Sequence, residues 1–267
     1  MRELRKLVLC ELFKYRRNKV IPALTSLSLL FPLALIFMTK SDLNGAETLA
    51  EYHAYYDSLF NNNLVYSSML LLPALFGCIS AVLFFTERDC GAFKNLRVIP
   101  VTERELIFAK LITLYLWSVI YSAGSTAAMT LFCLFLEPAA VYDALFKLFC
   151  SMLTGVTMAT VSLPVVVIVI YMNQSYLLSL LLSFLYSVAN WLLLVLFASN
   201  DSALRWLPLM NGLLLPSRLF GWRKAFWGIG ELAALPFQDY VFTALFLLFS
   251  FLICTFLIIR FYKKWSR

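Results

Sequence analysis

The residues best suited to contact a second protein lie in one charged segment, Glu87 to Lys110, between two long apolar runs. The segment reads ERDCGAFKNLRVIPVTERELIFAK. After Gly91, the side chains of Phe93 and Leu96 recur at helical spacing, which predicts a short amphipathic helix that Pro100 ends. Lys94, Asn95 and Arg97 face away from this stripe, and a short surface helix of this kind could transmit a displacement into the bundle. The alternative is an ordinary connection between two helices.

The next helix has a well-defined start. Thr102 and Glu105 stand in the T-x-x-E relation of a capping box, and Val101 and Leu106 occupy the positions of a hydrophobic staple. We therefore expect a helix to begin at Thr102, and Lys110 to extend its ammonium towards lipid headgroups.

Several kinds of enzyme chemistry have no motif here. The chain lacks GxxxxGK[ST], so it has no loop to cradle nucleotide phosphates, and it lacks HExxH and CxxC. Its single histidine, His53, is interpreted as a solvated loop residue, and the six scattered cysteines as packing residues. These absences argue against an intramembrane metalloprotease and predict neither a metal site nor a cofactor in this chain.

Composition places the chain in a membrane. Hydrophobic residues make up 62% of the 267 residues, charged residues only 14%, and the mean hydropathy is +0.83. A water-soluble core of ordinary size cannot bury that much apolar surface.

Six apolar runs are long enough to span a bilayer, and each should be a helix because lipid offers the backbone no hydrogen-bond partner. The predicted fold is therefore an all-α, polytopic membrane protein with a single transmembrane domain over residues 1–267. The expected spans are about 21–38, 64–85, 106–136, 148–172, 176–198 and 240–259. Pro164, with Gly155 upstream, predicts a kink in the fourth span.

The basic residues define an orientation. One side carries seven Lys and Arg at the N-terminus, five in the charged segment and four at the C-terminus, whereas the other side carries six. The positive-inside rule then places both termini in the cytoplasm. Topology accounts for the net charge of +7, so nucleic-acid binding is not expected.

Two further segments are expected to lie along the membrane surface. Residues 1–19 show an apolar stripe that includes Leu4, Val8 and Leu12, which is typical of an N-terminal amphipathic interfacial helix; a basic topogenic segment explains the pattern equally well. Residues 199–239 contain apolar pieces, broken by prolines, that are too short to span. They predict short external re-entrant or interfacial helices, and both an outer lid and simple interfacial anchoring are open as their role. The tryptophans that suit the headgroup boundary in this segment are Trp206, Trp222 and Trp227.

Polar residues within the spans are few. Asn190 is the candidate for a transport pathway or a subunit interface, whereas Ser125, Thr126, Thr154 and Thr157 are as well explained by helix packing. We expect no acidic or basic residue in the middle of a span, which argues against a proton-coupled carrier.

The order Glu87, Gly91, Leu96, Pro100, Leu106 and Lys110, between the second and third of six spans, resembles the cytoplasmic loop of permease subunits of type-2 ABC transporters. The N-terminal CELFKYRRNKVIPAL resembles the connecting helix of the same family. By size and by the ELFKYRR opening, the chain is most similar to the lantibiotic-immunity permeases of bacteria.

The resemblance implies a mechanism and partners. Residues 87–101 would form the coupling loop, in which Glu87, Gly91, Phe93, Leu96, Arg97 and Pro100 contact a separate ATP-binding cassette subunit that holds ATP and Mg. A second permease subunit, the same or related, would complete the pathway in the bacterial cell membrane.

The expected activity is export of an amphipathic peptide, such as a lantibiotic, for self-protection. The acidic external residues Asp42, Glu47, Glu51 and Asp57 would suit a cationic peptide. The alternatives are export of another hydrophobic substrate and a noncatalytic membrane scaffold or assembly factor.

Overall fold

The chain folds as a bundle of helices. The computed structural model describes residues 2–17, 20–41, 47–89, 102–172, 176–196, 206–226 and 237–266, and no strand occurs among them. Five of the described helices are long and apolar enough to cross a membrane, and Leu177–Leu193 is a shorter apolar helix. The predicted all-α, polytopic fold class is confirmed.

The helices are numbered in chain order. They are α1 Arg2–Arg17, α2 Val20–Met38, α3 Leu49–Val65, α4 Leu72–Asp89, α5 Glu103–Leu136, α6 Ala144–Met172, α7 Tyr176–Leu196, α8 Pro208–Phe226 and α9 Phe237–Ser266. A π-helical stretch, Tyr66–Leu71, joins α3 to α4, and a 3-10 turn, Pro138–Ala140, lies in the corner between α5 and α6.

The second membrane helix starts earlier than expected. The run from α3 through the π-helical stretch to α4 begins after Thr48, whose side chain forms a capping box with Glu51, and not near Leu64. Polar residues such as Asp57 and Asn63 lower the hydropathy of this first part, although both are buried. His53, interpreted from the sequence as a solvated loop residue, is therefore a half-buried helical residue whose ring lies 4.4 Å from that of Tyr142.

A proline follows the π-helical stretch closely. Pro73 has no N–H to donate to the carbonyl of Met69, four residues earlier. The hydroxyl of Ser187, on α7, donates instead to the Met69 carbonyl at 3.1 Å and also contacts the carbonyl oxygen of Leu70. A neighbouring helix thus supplies the donor that the proline removes.

The same device keeps α8 continuous through Pro216, which the sequence suggested would break it. Pro216 cannot donate to the carbonyl of Gly212, and the hydroxyl of Thr157 on α6 donates to that oxygen at 2.6 Å. Gly212 allows this close approach, because an added Cβ would lie 2.7 Å from the sulfur of Met158. Consequently α8 is anchored beside the middle of α6.

The most extensive contact in the bundle is between α5 and α6, which run antiparallel. Gly155 lies at their closest approach, where an added Cβ would stand 2.9 Å from the backbone oxygen of Ser118, and Ser118 donates to the Gly155 carbonyl at 2.8 Å. Gly155 therefore serves helix packing. Pro164 lies farther along the uninterrupted α6, and the kink predicted there stays a prediction.

Candidate functional site

The bundle has two ends with distinct polar chemistry. The basal end is defined by Glu11, Leu83 and Lys110, and the corner end by Asp57, Tyr142 and Lys147. The predicted coupling segment begins and ends at the basal end.

At the basal end, α5 starts where the sequence predicted. The Thr102 side chain accepts from the Glu105 N–H at 3.3 Å, and the Glu105 carboxylate accepts from the Thr102 N–H at 2.9 Å. This reciprocal capping box satisfies two backbone donors of the first turn. The predicted helix start is confirmed, and it gives the segment after Asp89 a firm end point.

Lys110 does not extend towards headgroups as expected. Its side chain is fully buried, and its ammonium donates to the Leu83 carbonyl at 3.0 Å and to the Glu11 carboxylate at 3.4 Å. The ring of Phe84 lies 5.5 Å away. A buried ammonium needs such partners because removing it from water is costly. Lys110 therefore joins three helices rather than reaching the membrane surface.

Glu11 is the partner that connects α1 to this end of the bundle. Its side chain is 3% exposed, and its second carboxylate oxygen accepts from Lys14 at 2.6 Å. Through Lys110, this carboxylate links α1 to the end of α4 and the start of α5, the two helices that flank residues 90–101. A displacement applied to that segment would reach α1 through the same contacts.

Most of the predicted coupling residues lie outside the described residues. Gly91, Phe93, Leu96, Arg97 and Pro100 belong to this group. Glu87 lies in the last turns of α4, and its side chain is not described. The coupling role of all six residues stays a prediction.

The polar residues of the middle of the bundle bond to one another between helices. Ser122 and Thr126 on α5 contact Ser151 on α6, with Ser122 donating to the Ser151 carbonyl at 2.8 Å and Thr126 donating to its hydroxyl at 2.8 Å. Ser125 donates to the Asn63 side-chain oxygen on α3 at 2.9 Å, so these hydroxyls join helices. Thr154 donates to the carbonyl of Cys150 within its own helix at 2.8 Å.

Asn190, the predicted pathway or interface residue, is buried on α7. Its side-chain amide donates to the Tyr186 carbonyl, one turn earlier, at 2.9 Å. Its role in a pathway or an interface stays a prediction.

The described grooves are apolar and open towards the surroundings of the bundle. One, of about 380 Å³, lies between α5, α6 and α9; Phe108, Tyr115, Val156 and Phe251 are among its lining residues. A second, of about 440 Å³, runs along α9 beside Trp206, a residue that is 69% exposed. Both surfaces suit lipid chains or an apolar substrate better than a hydrated ion.

At the corner end, a second ion pair lies among aromatic rings. The Asp57 carboxylate is 2.9 Å from the Lys147 ammonium and accepts from the Tyr142 hydroxyl at 2.5 Å. The ammonium lies 3.5 Å from the ring centroid of Tyr56 and 4.1 Å from that of Tyr142, distances typical of cation–π contacts. Burial raises the pKa of Tyr142, and the bond to Asp57 raises it further, so Tyr142 remains a hydrogen-bond donor at neutral pH.

This ion pair changes the interpretation of the external acidic residues. Asp57, expected to face a cationic peptide, is 3% exposed and paired within the chain. Glu47 and Glu51 are exposed, although Glu51 also caps α3, and Asp42 lies outside the described residues. The acidic surface predicted from the sequence is therefore smaller than the residue count suggested.

Of the three predicted lid tryptophans, only the side chain of Trp206 is described, and its ring lies 5.4 Å from that of Phe242. Trp222 lies in α8, but its side chain is not described, and Trp227 lies outside the described residues. The lid function stays a prediction. Among the described residues, no group of three or more His, Cys, Asp or Glu could hold a metal ion.

Sequence reasoning missed Glu11, Asp57 and Lys147 as structural partners. One signal was available for each residue. Glu11 lies on the apolar stripe of α1, four residues after Leu7, where a charge needs a buried partner. Asp57 follows two tyrosines in a stretch with helical aromatic spacing, and Lys147 lies among apolar residues in the first turn of α6.

The chain was compared with known protein families, and a family model matches most of it. A family model described as ABC-2 family transporter protein matches residues 7–190. The match covers more than half of the chain and runs from α1 into α7, so it includes the basal end, the corner end and the segment between α4 and α5. A search of curated proteins gives no match.

Proposed function

Because the chain belongs to the ABC-2 family of transporter proteins, we propose that it exports an amphipathic peptide, such as a lantibiotic, out of a bacterial cell membrane. The family makes the chain a multi-pass transport permease and implies an ATP-binding cassette partner. The peptide substrate, its self-protective purpose and the cell membrane as location are the proposed parts.

The observation that supports an amphipathic substrate best is the chemistry of the surface. The two described grooves are lined by apolar side chains and open sideways, so a molecule embedded in the lipid could enter without losing contact with an apolar phase. The hydroxyls of Ser122 and Thr126 on α5 and of Ser151 on α6 are occupied by bonds within the bundle. The described part of the chain therefore favours a lipid-embedded substrate over a hydrated ion.

The basal end supports an ATP-driven mechanism. We place it on the cytoplasmic side, with both termini, on the basis of the basic residues. A partner subunit that binds ATP and Mg would contact residues 87–101, and the Glu11–Lys110–Leu83 contacts would carry the displacement into α1, α4 and α5. A second permease subunit, the same or related, would form the pathway with this one.

The test is survival of cells that express the chain with its ATP-binding partner during exposure to a panel of lantibiotics. We expect protection against at least one of them, and none when the partner carries an inactivated ATPase site. Protection against no peptide, together with ATP-dependent export of another hydrophobic compound, would replace the proposed substrate. An assembly without ATP-dependent transport of any kind would favour a scaffold.

A further inference from the structure

The corner end contains a buried charge cluster that the proposed function does not use. We call it the corner cage and define it by Tyr56, Asp57, Tyr142, Lys147 and Phe220. The Lys147 side chain is 1% exposed and the Asp57 side chain 3%, so neither charge faces water or a substrate in this conformation. The cage therefore requires a role other than surface attraction.

The corner cage joins four separate parts of the chain around one ammonium. Tyr56 and Asp57 come from α3, Tyr142 from the corner between α5 and α6, and Lys147 from the first turn of α6. Phe220, on α8, brings its ring centroid to 5.9 Å from the ammonium. One cation on α6 thus links α3, the α5–α6 corner and α8.

The helix α8 connects the corner cage to the middle of the bundle. Its residue Gly212 bonds to Thr157 halfway along α6, and its residue Phe220 packs on Phe60 with ring centroids 4.9 Å apart. If the contact at Phe220 separates, α8 can swing about its bonded inner part. Separation from α3 would open the corner end without disrupting the α5–α6 contact.

A buried ion pair is a poor device for stability alone, because apolar residues of similar volume hold helices together at least as well. It has one property that apolar contacts lack. Its attraction weakens greatly once water enters, because the dielectric constant rises, so the two sides either meet dry or separate fully. This behaviour suits a closure with two states.

We propose that the Asp57–Lys147 pair is a latch that holds α8 and the α5–α6 corner against α3, and that it opens during the transport cycle. The proposal rests on the proposed transport function, and it deepens that function by assigning the residues that close the corner end. Lys147 provides the cation, Asp57 the anion, and Tyr142 fixes the carboxylate by its hydrogen bond.

The first test measures opening without substrate or partner. A reporter cysteine, Leu59→Cys, is placed in the apolar cluster beside the cage, in a chain whose six native cysteines are replaced by alanine, and its rate of labelling by a water-soluble maleimide is followed in lipid nanodiscs. Lys147→Met should raise this rate about tenfold, in proportion to the open population. The matched control Leu49→Cys, already 60% exposed, should label equally fast in both backgrounds.

A second variant separates opening from unfolding. The double variant Asp57→Asn with Lys147→Met leaves no unpaired charge, and we expect it to show the same increase at Leu59→Cys. A cysteine at Leu114, fully buried in the main core, should stay protected in it. Unchanged labelling of Leu59→Cys in the double variant would overturn the latch, and so would labelling at Leu114, because the pair would then be needed for folding.

The second test adds the ATP-binding partner. In a chain that keeps Asp57 and Lys147, ATP should accelerate labelling of Leu59→Cys. The rate should not change when the partner carries an inactive ATPase site. If ATP is hydrolysed and labelling does not change, the latch does not open in the cycle and the proposal fails. Survival of cells exposed to peptides is scored separately. A wrong substrate would abolish protection without changing the labelling of Leu59→Cys by ATP, so the two failures can be told apart.

Discussion

Glu11 and Lys110 are separated by 99 positions in the sequence, yet their charged groups meet at the basal end. Glu11 also contacts Lys14 at 2.6 Å, and the Lys14 side chain is 47% exposed. One carboxylate therefore has a buried and an exposed cation as partners. The two contacts should contribute very different amounts to the free energy of unfolding, because water weakens the exposed contact with Lys14.

Substitutions at these three residues test that difference. Glu11→Gln should lower the free energy of unfolding by about 3 kcal/mol, because it removes a carboxylate partner of the buried Lys110 ammonium. Lys14→Met should cost less than about 1 kcal/mol. The measurement is unfolding in detergent micelles. The double variant Glu11→Gln with Lys110→Met should recover most of the loss, and equal effects of Glu11→Gln and Lys14→Met would contradict the account.

Tyr142→Phe tests the hydrogen bond in the corner cage while keeping the ring over Lys147. We expect a loss of about 1.5–3 kcal/mol in the free energy of unfolding, the range for a bond to a charged group. The raised pKa of Tyr142 means that the folded state favours the neutral phenol. Its contribution should be fully present below the unfolded tyrosine pKa of about 10 and should fall above it.

The measurement is therefore the difference between Tyr142→Phe and the unsubstituted chain at several pH values. A difference that is constant from about pH 7 to pH 9 is expected. Tyr66→Phe, at a more exposed position in the π-helical stretch, is the matched control and should change little. A difference that disappears below pH 9 would contradict the assignment.

At the scale of the elements, prolines are accommodated by hydroxyls of neighbouring helices. Ser187 donates to the carbonyl of Met69, to which Pro73 cannot donate. Thr157 donates to the carbonyl of Gly212, to which Pro216 cannot donate. In lipid a carbonyl cannot turn to water, so such substitution by a neighbour allows a helix to continue. It also fixes which helices are neighbours.

A double-mutant cycle checks this explanation. Thr157→Val should cost about 0.6–1.7 kcal/mol, the range measured for bonds between membrane helices. The cost should largely disappear in a Pro216→Ala background, because the new backbone N–H can donate to Gly212. Thr113→Val, which removes a hydroxyl bonded to the Ala109 carbonyl of its own helix, is the control and should show no coupling to Pro216. Equal costs of Thr157→Val in both backgrounds would show that the proline is irrelevant.

The sequence predicted elements better than it predicted their contacts. Long apolar runs located the membrane helices, and the Thr102–Glu105 pair located the start of α5, because both signals are local. The first part of α3 was missed since Asp57 and Asn63 lower its hydropathy, and only the fold shows that they are buried. Partners such as Tyr142 and Asp57, 85 positions apart, carry no local signal. Pro216 was predicted to break a helix, because the hydroxyl that compensates for it belongs to Thr157, which lies far away in the sequence.

At the scale of the whole molecule, two buried ion pairs hold opposite ends of a bundle whose middle is joined by serine and threonine hydroxyls. The basal pair links α1 to both sides of the coupling segment, and the corner pair links α3, α6 and α8. In the proposed transport cycle, the basal pair would receive a displacement at one end and the corner pair would close or open the other. The central claim is that a separate ATPase subunit acts at the basal end.

Co-purification with that ATPase subunit tests the claim most directly. We predict that the unsubstituted chain retains the subunit through purification, and that Phe93→Asp combined with Arg97→Glu reduces the retained amount at least tenfold, a loss of about 1.4 kcal/mol or more in binding. Arg104→Glu, a charge reversal in the first turn of α5, is the matched control and should retain it. All three chains should insert into the membrane equally. Full retention by the double variant would contradict the account.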